Sequence, residues 1–416
     1  MPHPSSPPLT GVDITDVARL AQLLERRPEL AERCFTAAER RDCRGRPERW
    51  ASTWAAKEAV RKLAAGLGRS PLPAFAAIEV VRRPGGPPTV RVAGLPPVAM
   101  SLSHDGGLAL AVAVAVPSEW PALLGDHDRG LVLPARPADG HKGTFGTVAV
   151  VAGSHGFTGA ARLAATGAAR GGAGRVRLGV PASLHPLVAP SCLEVMAHPL
   201  PDDGDGVLVP AAVPVVRDRL LAGADVLVVG PGLGLDARTG AALAELVATS
   251  PCALVVDADG LTLGARLGFE WTAAGRPVVL TPHPAEMARL LGSDTAAVQV
   301  DREATASSFA RERGVVLVLK GAGTVIAAPD GRLAVDRTVT PALATGGTGD
   351  VLAGLVGAFV AGGLDAFEAA RAAVAVHGEA GLQLEAVRGR AGSLAGDLLD
   401  ILPAAQERIR RWCMPG

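Results

Sequence analysis

The stretch ATGGTGDVLAG, residues 344–354, sets three glycines, two threonines and one aspartate directly before a strongly apolar run. Gly346, Gly347 and Gly349 would let backbone amides approach an anion closely, and a helix opening near Val351 would add the positive end of its dipole. Asp350 would then stand beside a bound phosphate, placed to take the proton of a substrate hydroxyl attacking a phosphoryl group. Alternatively, the loop is an ordinary turn and Asp350 a helix cap. The loop is not a Walker A sequence, because no lysine follows the glycines at the required spacing. Nor is it a dinucleotide fingerprint, which belongs on the first strand–helix turn of a domain.

Four further stretches carry polar groups where apolar runs end. KGAGT, Lys320–Thr324, offers two glycines and an ammonium to the phosphates of a nucleotide, or is a strand-end hairpin turn. GPGLG, Gly230–Gly234, is by itself any glycine-rich turn. DADG, Asp257–Gly260, supplies two carboxylates or two caps. TPHPAEM brings His283 and Glu286 together, although a lone histidine is more often structural than catalytic. Near the start of the chain, Asp13 and Glu58 are two carboxylates able to hold a magnesium ion on a diphosphate. Lys62, one helical turn from Glu58, would meet a phosphate, or the two form an i,i+4 surface pair. The chain has only four lysines, Lys57, Lys62, Lys142 and Lys320, against many arginines. Each therefore flags a place that needs a compact ammonium rather than a guanidinium fork.

The elements that must position these residues fall into two groups. Residues 9–117 read as a small α+β domain. A strand Thr10–Ile14 leads into a helix around Val17–Glu25 capped by Asp16. A second helix carries RWASTWAAKEAVRKLAAGLG, with Trp50, Trp54, Ala55, Ala59 and Leu63 at helical spacing and Gly66 as its stop. The short strands AAIEVVRR, PTVRVAG, VAMSLSH and LALAVAVAV follow. Residues 118–138 are proline-rich and aperiodic and read as a linker. From 139 to 416, strands and helices alternate. The runs TVAVVAGS, RVRLGV, ADVLVVGPG, CALVVDADG, PVVLTPH and VVLVLKG are continuously apolar, which marks strands buried on both faces of a mostly parallel, doubly wound α/β sheet. Ligands in such sheets bind beyond the carboxyl ends of the strands, where these polar residues gather.

Bulk properties narrow the field. With 41 basic and 41 acidic residues, nothing points to nucleic acid as a partner. The apolar runs are shorter than the roughly 20 residues a membrane span needs, and the first residues lack the pattern of a signal peptide. Five scattered cysteines suggest a reducing, cytoplasmic setting and no zinc site.

In order along the chain, HKGTFGTVAVVAGSHGFTGAARLAATGAARGGAGRV, VVGPGLG, VVDADGL, TPHPAEMARLLG, LKGAGTVIAAPDG and ATGGTGDVLAGLVGAFVAGG resemble the NAD(P)H-hydrate dehydratase family, which is similar to ribokinases in fold. The resemblance implies repair of NADH or NADPH hydrated at the nicotinamide: ADP or ATP phosphorylates the hydroxyl, phosphate leaves, and the cofactor is restored. It puts Asp350 at the catalytic base, Ala160, Gly234, His283 and Asp350 at the hydrate, and Lys320, Gly321, Ala322, Gly323, Thr324 and Gly349 at the nucleotide. Where the family usually has GNPGMATGGTGD, this chain has TVTPALATGGTGD. GVDITDVAR, FTAAE, WAAKEAVRKLAAGLG and SLSHD resemble the holo-acyl-carrier-protein synthase family of phosphopantetheinyl transferases. That implies transfer of phosphopantetheine from coenzyme A to a serine of an apo-acyl-carrier protein. Magnesium would be held by Asp13 and Glu58, and coenzyme A by Lys57, Lys62, Ser103 and His104. This chain has Pro87 where the family often has a basic residue, and Thr53 where an arginine often precedes the aromatic. The expected whole is a bifunctional homo-oligomer, served by a separate epimerase for the second hydrate epimer. The alternatives are a non-catalytic N-terminal module, or another ribokinase-like small-molecule kinase.

Overall fold

A computed structural model describes residues 10–66, 71–82, 88–92, 95, 98–115, 130–272 and 274–413, and divides the chain into two units, 1–122 and 123–416. The first unit opens with β1 (Thr10–Asp16), followed by helices α1 (Val17–Arg26), α2 (Glu29–Cys34), α3 (Ala37–Cys43) and α4 (Pro47–Gly66). Strands β2 (Ile78–Val81), β3 (Thr89–Val92), β4 (Val98–Asp105) and β5 (Leu108–Ala115) complete an antiparallel sheet in the order β1-β5-β4-β3-β2. Asp16 caps α1, accepting from the Arg19 amide at 2.8 Å. One face of the sheet is paved with fully buried Ala109, Ala111 and Ala113, which let α4 lie close upon it. At Gly11 the approach is so tight that a Cβ would fall 1.9 Å from the Ala59 carbonyl oxygen, so only glycine fits. This contact delivers Asp13, two residues on and on the same face, to the side of α4.

The second unit is a nine-stranded sheet in the order β14-β13-β12-β11-β10-β9-β6-β7-β8. Its strands are β6 (Thr147–Val151), β7 (Arg175–Pro181), β8 (Met196–Leu200), β9 (Val226–Val229), β10 (Ala253–Val256), β11 (Val278–Leu280), β12 (Val316–Leu319), β13 (Thr324–Ala327) and β14 (Leu333–Asp336). The seven from β12 to β8 are parallel, and β13 and β14 fold back as antiparallel hairpins. Every residue of β6, β9, β11 and β12 is buried. Alternate residues feed two cores, Val148 and Val150 on one face and Ala149 and Val151 on the other. That is why these strands read as unbroken apolar runs.

The longer helices of this unit are α5 (Thr158–Arg170), α6 (Ala237–Thr249), α7 (Asp259–Leu267), α8 (Pro284–Leu291), α9 (Arg302–Arg313), α10 (Thr348–Ala361), α11 (Ala366–Arg388) and α12 (Ala395–Cys413). Helix α10 is apolar almost all round because it is covered almost all round. A Cβ on Gly354 would fall 2.0 Å from the Ala164 carbonyl of α5, and one on Gly357 would strike Val228 of the sheet at 2.5 Å. Small residues thus wedge α10 between α5 and the sheet and fix where its first turn lies.

Of the expected linker, residues 118–129 lie outside the described residues, as does Pro87. Residues 130–138 do not behave as a linker, since Leu131 and Leu133 are buried in the core of the second unit. Strand β8 was not anticipated: it is an edge strand containing Pro199, and a proline tolerated at an edge obscures the strand pattern.

Candidate active site

Strands β9, β10, β11 and β12 are neighbours and parallel, so the loops at their carboxyl ends, Gly230–Gly234, Asp257–Gly260, Thr281–Glu286 and Lys320–Gly323, emerge side by side. Lys320 stands among carboxylates from two of the other loops. Its Nζ lies 2.6 Å from Asp257 Oδ1 and 3.9 Å from Glu286 Oε2. Asp257 Oδ1 also accepts from the Thr281 hydroxyl at 2.8 Å. The Asp257 side chain is 1% exposed and that of Glu286 7%. A Cβ on Gly349 would lie 3.2 Å from Lys320 Nζ and 3.8 Å from Asp257 Oδ2, so the first turn of α10 closes directly over this pair.

Asp350 is the next residue. It occupies the third position of α10, whose N-cap is Gly347 at φ 93°, and its carboxylate makes none of the helix's capping bonds. Burial pushes its pKa up to about 7, and the nearby charges of Asp257, Asp259 and Glu286 act in the same sense against Lys320. Burial likewise lifts Glu286 to about 7. Burial opposes the charge of Lys320, but Asp257 and Glu286 outweigh it and hold the ammonium above its usual pKa. Four carboxylates around one lysine are more negative charge than the site can neutralise. Burial, with this excess added to it, raises proton affinity, which is how a carboxylate becomes a useful base near neutral pH.

The other expected residues surround this centre. His283 is the N-cap of α8: its Nδ1 accepts from the Ala285 amide at 3.1 Å and the Glu286 amide at 3.2 Å. The Glu286 carboxylate returns a bond to the His283 amide at 2.7 Å. The imidazole is therefore neutral, with its proton on Nε2, and burial and then Lys320 lower its pKa. His283 thus has the structural role as well as a place at the site. Gly234 donates its amide to Asp259 Oδ2 at 2.9 Å. Ala160, on α5, faces the same loop, since a Cβ on Gly232 would come within 2.9 Å of its methyl. Lys320–Thr324 is indeed a hairpin turn, joining antiparallel β12 and β13, and it stands at the site's edge. The two readings of that motif are not exclusive.

Three features gave no sequence signal. Ala258 has φ 50°, alone among the described non-glycine residues in being positive. Such a backbone costs on the order of 1–3 kcal/mol and clusters at functional sites. Here it lies between Asp257 and Asp259, both of which act on Asp350. Glu286 was noted in the sequence only as a neighbour of His283, yet it belongs to the ion cluster. His377, in the middle of α11, donates from Nε2 to the Thr348 carbonyl at 2.9 Å. Burial pushes its pKa down to about 4, so it stays neutral behind the first turn of α10.

Residues 148–404 match the family model described as NAD(P)H-hydrate dehydratase. The chain belongs to the NAD(P)H-hydrate dehydratase family. Residues 10–115 match the model of the 4'-phosphopantetheinyl transferase superfamily. A bifunctional NAD(P)H-hydrate repair enzyme of Moorella thermoacetica is 45% identical over 271 residues, covering 65% of this chain and 51% of that protein. An ADP-dependent (S)-NAD(P)H-hydrate dehydratase of Xanthomonas campestris is 38% identical over 283 residues, 68% of this chain and 95% of that one. The crystal structure of an ADP/ATP-dependent NAD(P)H-hydrate dehydratase from Bacillus subtilis, co-crystallised with ATP and magnesium, has a TM-score of 0.60 at 32% identity, covering 69% of this chain and 98% of the other. The chain spans about half the length of the bifunctional relatives it matches. The architecture is thus a transferase-like α+β unit followed by a ribokinase-like dehydratase unit.

In the transferase-like unit the expected residues part company. Lys57 is fully buried. Its Nζ is 2.7 Å from Glu39 Oε2 and donates to the carbonyls of Phe75 at 2.8 Å and Ile78 at 2.6 Å. With all three donors committed, Lys57 has none for coenzyme A; it braces α4 against α3 and β2. Asp13 accepts from Lys62 at 2.8 Å and from the Thr15 hydroxyl at 3.1 Å. Glu58, one turn before Lys62 on the same face of α4, has Arg61 3.9 Å away. Lys62, expected at coenzyme A, thus sits on Asp13, and no three ligating side chains converge among the described residues. Ser103 and His104 are both exposed on β4. As neighbours in a strand they point to opposite faces. His104 pairs with Ala109 on the α4 side, whereas Ser103 pairs with Leu110 on the other face, away from Asp13.

Proposed function

We propose that the second unit dehydrates (S)-NAD(P)H hydrate at the expense of ADP or ATP. The observation that carries this is Asp350, held in the first turn of α10 beside the Lys320–Asp257 pair with its pKa pushed up to about 7. In this reading Asp350 takes the proton of the hydrate's hydroxyl as that oxygen attacks the terminal phosphoryl group. The new O–P bond forms as the bond to AMP or ADP breaks. The phosphate then leaves with cleavage of its C–O bond, the adjacent ring carbon gives up a proton to solvent, and the nicotinamide double bond is restored. The Lys320–Thr324 loop and the Gly349 amide hold the nucleotide, while Ala160, Gly234 and His283 line the hydrate's side. A magnesium ion fits as the nucleotide's companion, held chiefly through phosphate oxygens; it would neutralise charge on the transferring group. Neither matched segment accounts for epimerisation, so the second epimer is expected to need an epimerase in trans.

The test is to incubate the purified chain with hydrated NADH and ADP or ATP and follow the return of NADH absorbance. Recovery with release of phosphate supports the reading. A stable phosphorylated product without recovery would mark a small-molecule kinase instead.

For the first unit we propose transfer of phosphopantetheine from coenzyme A to an apo-acyl-carrier protein, supported by the family match. Mass gain of an apo carrier protein in the presence of coenzyme A and magnesium tests it. No mass gain leaves a non-catalytic module.

A further inference from the structure

Arg302 opens α9, well away in sequence from every motif above, yet its guanidinium reaches the loop after β12. Nη2 donates to three backbone carbonyls there: Leu319 at 2.8 Å, Lys320 at 3.2 Å and Gly323 at 3.1 Å. Nη1 is held from behind by Gln299 Oε1 at 3.0 Å. No carboxylate pairs with Arg302 among the described residues; its acceptors are Gln299 and the loop. Gly321, at φ 145°, would place a Cβ 3.0 Å from Nη1. One glycine of KGAGT is therefore explained by making room for this side chain, rather than only by close approach to a ligand.

The consequence follows from the planarity of the peptide. In a trans peptide the C=O and the next N–H point in opposite directions. Turning the Lys320 carbonyl toward Arg302 turns the Gly321 amide away from it, toward the open side of the loop. The amides of Gly321, Ala322 and Gly323 have no acceptor among the described residues. The Leu319 carbonyl is fixed by the same nitrogen, and its peptide partner, the Lys320 amide, donates to Pro282 O at 2.9 Å. One guanidinium thus sets the facing of the Gly321 amide and fixes the backbone from which Lys320 extends to Asp257.

We propose that Arg302 is the positioning residue of the nucleotide loop: it holds the Leu319, Lys320 and Gly323 carbonyls inward so that the Gly321 amide faces the phosphates of ADP or ATP. This rests on the nucleotide reading of Lys320–Thr324 given above. A merely structural arginine would affect stability and both substrates alike, whereas a positioning role is selective. In the full chain, Arg302→Met should quicken hydrogen exchange at the Lys320 amide, which Pro282 O holds, at least tenfold. It should raise KM for ADP at least tenfold and leave KM for the hydrate within twofold. Arg302→Lys, which keeps a cation for the carbonyls but lacks the fork, should recover part of both effects. Unchanged exchange in the loop would overturn the role of Arg302 itself. Quickened exchange with unchanged ADP affinity, measured by calorimetry without the hydrate, would overturn the assignment of nucleotide to this loop. Parallel rises in both KM values with a lowered Tm would reduce Arg302 to a structural contact.

Discussion

The two units handle charge in opposite ways. In the dehydratase unit, Asp257, Glu286 and Asp350 act on one lysine, and burial, with the charge of Asp257 added to it, keeps protons on Asp350 and Glu286 that they would ordinarily have lost. In the transferase-like unit, the carboxylates and the buried lysine expected at the site each have one charged partner: Asp13 with Lys62, Glu58 with Arg61, Lys57 with Glu39. Only the last pair is buried, and it is saturated with hydrogen bonds. A crowded, unbalanced site is poised to move protons. A balanced one is poised to hold a conformation or to exchange one partner for a ligand.

The sharpest way to break this contrast is at Lys57. Lys57→Met would leave Glu39, 2% exposed, buried without its cation, at a cost of about 3–5 kcal/mol. Chemical denaturation followed through Trp50 and Trp54 should show the first unit weakened by that order. Normal stability with transfer activity lost would instead return Lys57 to a coenzyme A site.

Asp350→Asn tests the other side. Repair should fall at least about 10²-fold, the low end for losing a general base, with nucleotide affinity little changed. Stability gives an independent check. The folded pKa of Asp350 lies above its unfolded value, so the cost to stability is full above about pH 7 and fades as pH falls from 7 toward the ordinary value of 3.8. The variant should therefore gain thermal stability at pH 8 and little at pH 5. A helix cap would show neither effect, since asparagine caps as well as aspartate.

Smaller effects sharpen the comparison. Glu58→Gln should reduce carrier-protein modification by at least the about 10-fold that even an outer partner of a metal ligand costs, with repair unchanged. Full transferase activity would remove Glu58 from the site. His377→Leu deletes one hydrogen bond behind α10, worth about 0.5–1.5 kcal/mol, and should lower kcat about 2- to 10-fold. His377→Gln, which keeps a donor, should restore most of it; equal losses in both variants would make His377 a packing residue only.

Much of this was legible in the sequence, for a physical reason. A parallel sheet buried on both faces has to be written as continuous apolar runs, so β6, β9, β11 and β12 and the loops that end them could be read directly. Asp16 capped α1 as its position before Val17 demanded. What stayed hidden depends on partners distant in the chain. Nothing around Lys57 says that Glu39 and the carbonyls of Phe75 and Ile78 will enclose it. The strain at Ala258, the ring of His377 under Thr348 and the grip of Arg302 on the loop after β12 are likewise tertiary facts. Ser103 and His104 show the converse error: adjacent in a motif, they were grouped together, but the pleat of β4 sends them to opposite faces.

The central claim is that burial, aided by the charge of Asp257, raises Asp350 into the range of a working base. It is tested most directly by the pH dependence of kcat/KM for the hydrate at saturating nucleotide, between pH 5 and 9. The account predicts activity that is level above about pH 8 and falls tenfold per unit at low pH, with an apparent pKa near 7 set by Asp350. A profile flat down to pH 5 would mean that the base is an ordinary carboxylate, and would contradict the account.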